Sequence, residues 1–188
     1  VWTTTPWTLP FNLAVMAHPD IEYVKCTVGN EHWVIAKTRV EAVMAAAEKE
    51  YKIAEALQGK DLEGLKYIHP FHKEIPFPQQ KKLHTVVLSK EFVDDLSGTG
   101  LVHTAPGCGP EDYEVGYRNG LPPFNTTDEK GMLHDVGPFT GFYARTDDKQ
   151  CIELFDGKKS VVATEKYTHD YPHDWRSHKA LIFRATRQ

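Results

Sequence analysis

Apolar and polar residues alternate from Ile21 to Val28, with Val24, Cys26 and Val28 on one face, and this period of two predicts a half-buried strand. A second alternating run, His32 to Ala36 with Trp33 and Ile35, follows Gly29-Asn30, a two-residue connection of the kind that closes a tight hairpin. The period then changes. Val40, Val43, Met44, Ala47 and Tyr51 recur at helical spacing with charges between them, predicting an amphipathic helix of about three turns that Thr38 can cap. Gly59, Gly64, Pro70, Pro76 and Pro78 break up the next stretch and leave only short strands, such as Lys66 to Ile68. Leu83 to Leu88 and Gly100 to Thr104 are further β-branched runs. Pro110 suits the first position of a helix to about Arg118, with Gly120 just past its end. Asp128-Glu129-Lys130-Gly131 reads as a turn between strands, Asp147 to Phe155 as a helix closed by Gly157, and Val161 to Tyr167 as a last strand. Strands outnumber helices and few connections are helical crossovers. The expected class is therefore mixed, β-rich α/β, a barrel-like sheet decorated by short helices.

The 188 residues fit one domain of ordinary size or two small ones, and a single domain over 1–188 is the simpler reading. At 40% hydrophobic and 26% charged the composition is globular, and no apolar run approaches the roughly 18 residues of a membrane span. With 22 Lys+Arg against 26 Asp+Glu no global positive field draws in a polyanion, so any nucleic-acid contact must be local. Cys26, Cys108 and Cys151 are odd in number and far apart, which argues against a disulfide scaffold and favours a reducing, cytoplasmic setting. The first residues have neither a basic n-region nor a starting methionine. Opening on Val1-Trp2-Thr3 and closing on Leu181 to Thr186, the chain reads as a piece excised from a longer protein.

Two segments spend polar, backbone-exposing residues where a plain core strand would not. In Trp2 to Asn12, the hydroxyls of Thr3, Thr4, Thr5 and Thr8 surround two prolines, an arrangement suited to holding a sugar or an adenine edge; an edge strand rich in threonine reads the same way. In Gly98 to Tyr113, the Gly98-Thr99-Gly100 turn lets a ligand approach the backbone. Val102-His103-Thr104-Ala105-Pro106 then runs into Gly107-Cys108-Gly109 and a helix start that favours negative charge, though glycines for turns and first-turn acids at Glu111 and Asp112 are an ordinary alternative. His103 alone would more often be a hydrogen-bonded sheet residue. The pairs His69 with His72 and His169 with His173 invite a metal, but prolines spoil their alignment, and no metal site is expected. The serine-hydrolase elbow and the phosphate-binding P-loop are both missing.

Taken together, Trp2-Thr3-Thr4-Thr5-Pro6-Trp7-Thr8-Leu9-Pro10-x-Asn12, His18-Pro19-Asp20 and Gly98-Thr99-Gly100-x-Val-His103-Thr104-Ala105-Pro106-Gly107-x-Gly109-x-Glu111-Asp112-Tyr113 closely resemble the isoleucyl-tRNA synthetase family. So do Tyr171-Pro172-His173-x-Trp175-Arg176 and Phe183-Arg184-Ala185-Thr186. The resemblance covers essentially the whole chain and falls in the family's inserted editing domain, connective polypeptide 1 (CP1). Valyl and leucyl relatives carry a Thr-Thr-Arg-Pro segment instead. The His-x-Gly-His and Lys-Met-Ser-Lys-Ser signatures of the ligase's catalytic domain do not occur here, so this chain should not activate isoleucine itself. Cys108 stands where the family more often has histidine, and Asp174 and Ser177 where many members have cysteines.

The resemblance implies a deacylase that hydrolyses valine misattached to tRNA(Ile), and valyl-adenylate, while excluding isoleucine, within a parent ligase that uses ATP and magnesium. Editing itself needs no cofactor on this reading, and the partners are the charged acceptor end and the remaining domains of the synthetase, with no membrane. It implies that Asp112 holds the substrate ammonium and that His103 lines the side-chain pocket and bonds the ester region. Thr4, Thr5, Thr8 and Asn12 would grip the terminal adenosine and the reacting ester or water, with Trp2 beside them. Thr3, Thr99 and Thr104 would belong to the same surface, and the Gly98 to Gly100 turn would supply backbone contacts. A non-catalytic clamp for the acceptor end and a metallohydrolase are the competing readings. All of this requires the first segment to lie beside the His103 strand.

Overall fold

A computed structural model describes residues 1–168 and 170–186. Its centre is a three-stranded sheet in which β1 (Ala14–Ala17) lies between β5 (Thr85–Leu88), to which it is parallel, and β6 (Leu101–Thr104), to which it is antiparallel. A second, antiparallel sheet has β2 (Glu22–Val28) between β3 (Glu31–Ala36) and β4 (Lys52–Gln58). Three helices, α1 (Val40–Ala47), α2 (Pro110–Arg118) and α3 (Asp148–Gly157), decorate these sheets, giving the expected mixed, β-rich class.

The hairpin forms as its sequence indicates: Gly29 takes φ +58° and Val28 pairs with Glu31. Val24, Cys26, Val28 and Ile35 bury one face against Val40 and Met44 of α1. That helix is shorter than its periodicity suggests. It ends at Ala47, Glu48 adopts a left-handed conformation, and Tyr51 instead packs at the entrance to β4. Thr38 does not cap it; a 3-10 turn at Lys37–Arg39 intervenes, and the Thr38 hydroxyl donates to Asp95 Oδ2 at 2.8 Å. β4 itself, Lys52-Ile-Ala-Glu-Ala-Leu-Gln58, has the composition of a helix; pairing with β2 overrides that preference.

Several predicted strands are absent among the described residues. Lys66 makes only an isolated bridge to Thr85, and 161–167 forms no strand, although Val161 packs against the aromatic core and Tyr167 against Trp2. The Asp128 to Gly131 turn is present, flanked by single bridges rather than strands. Conversely β1 carries no alternation to betray it: Ala14, Val15, Met16 and Ala17 are all buried, because the strand is central and covered on both faces. The segment before it is neither edge strand nor ribbon throughout. Trp2 bridges Val102, and Pro6–Phe11 then winds into a 3-10 helix whose Trp7 and Phe11 enter the main aromatic core with Phe71, Phe139 and Phe155. The Asp148 carboxylate of α3 fixes its start by accepting the Trp7 N–H at 2.9 Å.

The two sheets are sutured at the Gly98 to Gly100 turn. Ala36 N–H donates to Thr99 O, and the Tyr23 hydroxyl donates to Gly100 O at 2.6 Å. Gly100 has φ +71°, and a Cβ there would stand 2.4 Å from Ala36 Cβ, so both backbone and space require glycine. This suture aims β6 and its His103 at the N-terminal segment.

Candidate active site

The two segments singled out in the sequence meet across one cavity of about 310 Å³. Trp2, Thr3, Thr4 and Thr5 form one side, Thr99 to His103 another, and Asp112 completes it. Trp2 N–H donates to Leu101 O at 3.1 Å, which sets the register between them. A second chamber, about 410 Å³, shares Trp2, Thr3, Thr4 and Thr99 with the first and extends past Gly98 to Tyr167, whose ring meets Trp2 edge-on at 4.9 Å.

Asp112 stands on the first turn of α2, which Pro110 starts in the helical φ range. Its Oδ2 accepts the Ala105 N–H at 2.9 Å, tying the helix to the end of β6. Burial pushes its carboxyl up to about 7, against the pull of that N–H, and the Glu111 charge adds to the rise. Near neutral pH it is therefore poised between the acid and the carboxylate. A bound cation would hold it ionised.

His103 is buried, and both ring nitrogens are engaged: Nε2 with Thr8 Oγ1 at 2.9 Å and Nδ1 with Asn12 Nδ2 at 2.8 Å. Burial drives its pKa down to about 3, so the ring is neutral. With neither nitrogen free, His103 faces the cavity as a wall, and the geometry offers no nitrogen to the ester region. Thr8 and Asn12 differ from the expectation in the same way. Each is 4% exposed, neither lines the cavity, and both stand behind His103. Thr104 is likewise fully buried, with its hydroxyl unpartnered, and faces away from the cavity because neighbouring positions on a strand point to opposite faces.

The remaining threonines form a directional chain. Thr5 N–H donates to Thr3 Oγ1 at 3.1 Å, Thr5 Oγ1 lies 3.2 Å from Thr8 Oγ1, and the Thr8 hydroxyl donates to Thr5 O at 2.8 Å. Among the described residues the Thr4 hydroxyl has no hydrogen-bond partner, which leaves it available in the cavity. Gly98 lines the second chamber only; its φ is +60° and a Cβ would stand 2.5 Å from Trp2 Cγ, so it seats the indole. Phe92, Asp94 and Ser97 also line the first cavity. They lie between β5 and β6, where no periodicity or motif marks them.

Elsewhere, His69 is engaged through both nitrogens, Nδ1 accepting the Phe71 N–H and Nε2 lying 3.2 Å from Leu9 O, while His72 Nδ1 lies 3.0 Å from His69 O. His169 lies outside the described residues. Among those residues no group of three or more His, Cys, Asp or Glu is placed to hold a metal ion, and no helix is long and apolar enough to cross a membrane. Asp174 and Ser177 close a turn together, Asp174 Oδ1 accepting the Ser177 N–H at 2.7 Å. Cys108 is buried beside Asn125, and burial raises its thiol pKa well above the ordinary value.

No protein-family model matches the chain. Over its whole length it is 45% identical to the isoleucine–tRNA ligase of Pyrococcus furiosus, 43% to that of Methanocaldococcus jannaschii and 40% to that of Bacillus subtilis. It spans only 18%, 19% and 20% of those relatives, respectively. Its fold is that of the crystal structure of GlLeuRS-CP1, with a TM-score of 0.68 at 15% identity over 88% of this chain and 83% of the other. The chain is thus similar along its whole length to one small segment of isoleucine–tRNA ligases, and it has the fold of a CP1 domain.

Proposed function

We propose that the chain is a hydrolytic editing unit that removes valine esterified to tRNA(Ile), and valine from its adenylate, while rejecting isoleucine. The observation that carries this reading is the convergence of Trp2 to Thr5, His103 and Asp112 on one small cavity, with Asp112 a half-buried carboxylate. Isoleucine against valine is the standard example of a limit on selection, since one methylene is worth only about 1–3 kcal/mol in a binding pocket. A second, smaller site that accepts only the shorter substrate overcomes it.

The ester and the mixed anhydride are already activated acyl groups, so the site has to position water, substrate and charge, and needs no side-chain nucleophile. Asp112 would hold the α-ammonium. The neutral His103 ring would bound the side-chain space, and the free Thr4 hydroxyl with Thr3 and Thr5 would hold the ribose, the ester or the water. The chamber beyond Trp2 would take the adenine. On this reading the ligase works in the cytoplasm, with ATP and magnesium used at a catalytic domain outside this chain, and editing uses no cofactor.

The test is deacylation of Val-tRNA(Ile) and Ile-tRNA(Ile) by the chain, with and without a strong chelator. Release of valine alone, unaffected by the chelator, is expected. A clamp for the acceptor end would leave both esters intact, and a metallohydrolase would stop when chelated.

A further inference from the structure

Behind His103, on the side away from the threonines, Tyr67 tilts its ring against His84 and donates its hydroxyl to Asn12 Oδ1 at 2.5 Å. The directions of the bonds around Asn12 follow from chemistry. Ala14 O can only accept, so the Asn12 atom 2.8 Å from it must be Nδ2. The second Nδ2 hydrogen then points at His103 Nδ1, 2.8 Å away, and that nitrogen must carry a lone pair. The imidazole proton therefore sits on Nε2 and is donated to Thr8 Oγ1, whose own hydrogen goes to Thr5 O. Among the described residues the Tyr67 hydroxyl is the partner of Asn12 Oδ1. Without it a buried carbonyl oxygen is orphaned and the amide is held from one side only.

We propose that Tyr67 is a positioning residue for editing: its hydroxyl locks the Asn12 amide, and through it the tautomer and ring angle of the histidine that bounds the side-chain cavity. The proposal rests on the reading of that cavity as a deacylation site. Tyr67 does not line the cavity, so its effect belongs to the reacting geometry and not to the grip on the nucleoside, which on the proposed reading the threonines and the chamber beyond Trp2 would supply.

Tyr67→Phe keeps the ring and removes only the hydroxyl. Its kcat on Val-tRNA(Ile) should fall about tenfold at unchanged KM, the rate equivalent of one hydrogen bond. In ¹⁵N spectra, with the signal assigned by its loss in His103→Gln, the unsubstituted chain should show His103 as a single neutral Nε2–H tautomer, and Tyr67→Phe a mixture. In an Asn12→Ala background the same substitution should have no further effect. An unchanged tautomer and kcat with lowered thermal stability would overturn the proposal, as would an effect that adds in full to Asn12→Ala. Should the unsubstituted chain leave the valyl ester intact, the deacylation reading fails, and the tautomer comparison alone decides the link from Tyr67 to His103.

Discussion

Thr8 Oγ1 lies 2.9 Å from His103 Nε2, joining residues 95 positions apart in a bond closed to solvent. With Asn12 on the opposite nitrogen, this bond removes both of the histidine's proton-transfer sites. The imidazole is thereby a shape and not a base. Asp112 is the residue across the cavity whose ionisation is within reach of neutral pH, and on the proposed reading charge recognition would fall to it.

Burial holds the Asp112 carboxyl at about 7. Below that value it has no charge to offer an ammonium group. The pH profile of kcat/KM for valyl ester should therefore rise through about 7 and level off above it. Asp112→Asn should lower kcat/KM on the order of 10²-fold and erase that step, since its side chain can still accept the Ala105 N–H but carries no charge. A step that survives the substitution belongs to another group.

The same carboxyl has a cost in stability. Its folded pKa is raised above the ordinary 3.8, so the folded chain binds the proton more tightly, and the stabilisation is fully present below about 4 and lost as pH rises through about 7. Urea denaturation should find Asp112→Asn more stable than the parent at about pH 8, with the difference closing towards pH 4.

Buried histidines act in the opposite sense. His103 and His69 are pushed down to about 3 and about 4 from 6.5, chiefly by burial, so below 6.5 the unfolded chain takes up protons that the folded chain refuses. The contribution of these histidines should be full above pH 6.5 and fall as pH drops through that window, opposing that of Asp112. Denaturant midpoints measured along a pH series check this, and His103→Gln should flatten part of the slope.

Removing the wall should remove the selection. His103→Ala opens the cavity by most of an imidazole, and Ile-tRNA(Ile) should become a substrate, shrinking the ratio of valine to isoleucine release by roughly 10- to 200-fold. Hydrolysis of both esters measured side by side decides it; a variant that still spares isoleucine refutes the wall.

Gly98 and Gly29 have nearly the same φ, +60° and +58°, but a Cβ meets Trp2 at 2.5 Å in the first and nothing within 4 Å in the second. Alanine at either site should cost about 1 kcal/mol in backbone strain. Only Gly98→Ala should also displace the indole and raise KM for the charged tRNA. Melting temperatures and KM values for the pair separate strain from collision.

Much of this arrangement is legible in the sequence, and each exception has a physical cause. Local signals mark the hairpin at Gly29, Pro110 at the start of α2, and the ribbon and turn that flank the cavity, because each needs particular backbone chemistry. The cavity-facing members of that set, Thr3 to Thr5, His103 and Asp112, do meet. Depth within the set is a different matter. Whether Thr8, Asn12 and Thr104 face the cavity or stand behind its wall depends on the 3-10 helix at Pro6–Phe11 and on strand phase, and residue type announces neither. Strands β1 and β4 were invisible for opposite reasons: one is buried on both faces, the other exposed on nearly every residue. Tyr67 sits in a proline-broken stretch where no pattern distinguishes it, and only a partner 55 positions away gives it meaning.

The three thiols are buried in two neighbourhoods: Cys26 under the hairpin, and Cys108, at the glycine turn before α2, with Cys151 of α3 in the one aromatic core. A maleimide or iodoacetamide meets none of them in the closed molecule. Alkylation at each sulfur, timed by mass spectrometry, thus clocks the opening of the hairpin layer through Cys26 and of the aromatic core through Cys108 and Cys151, giving the chain native reporters of which of the two comes apart first.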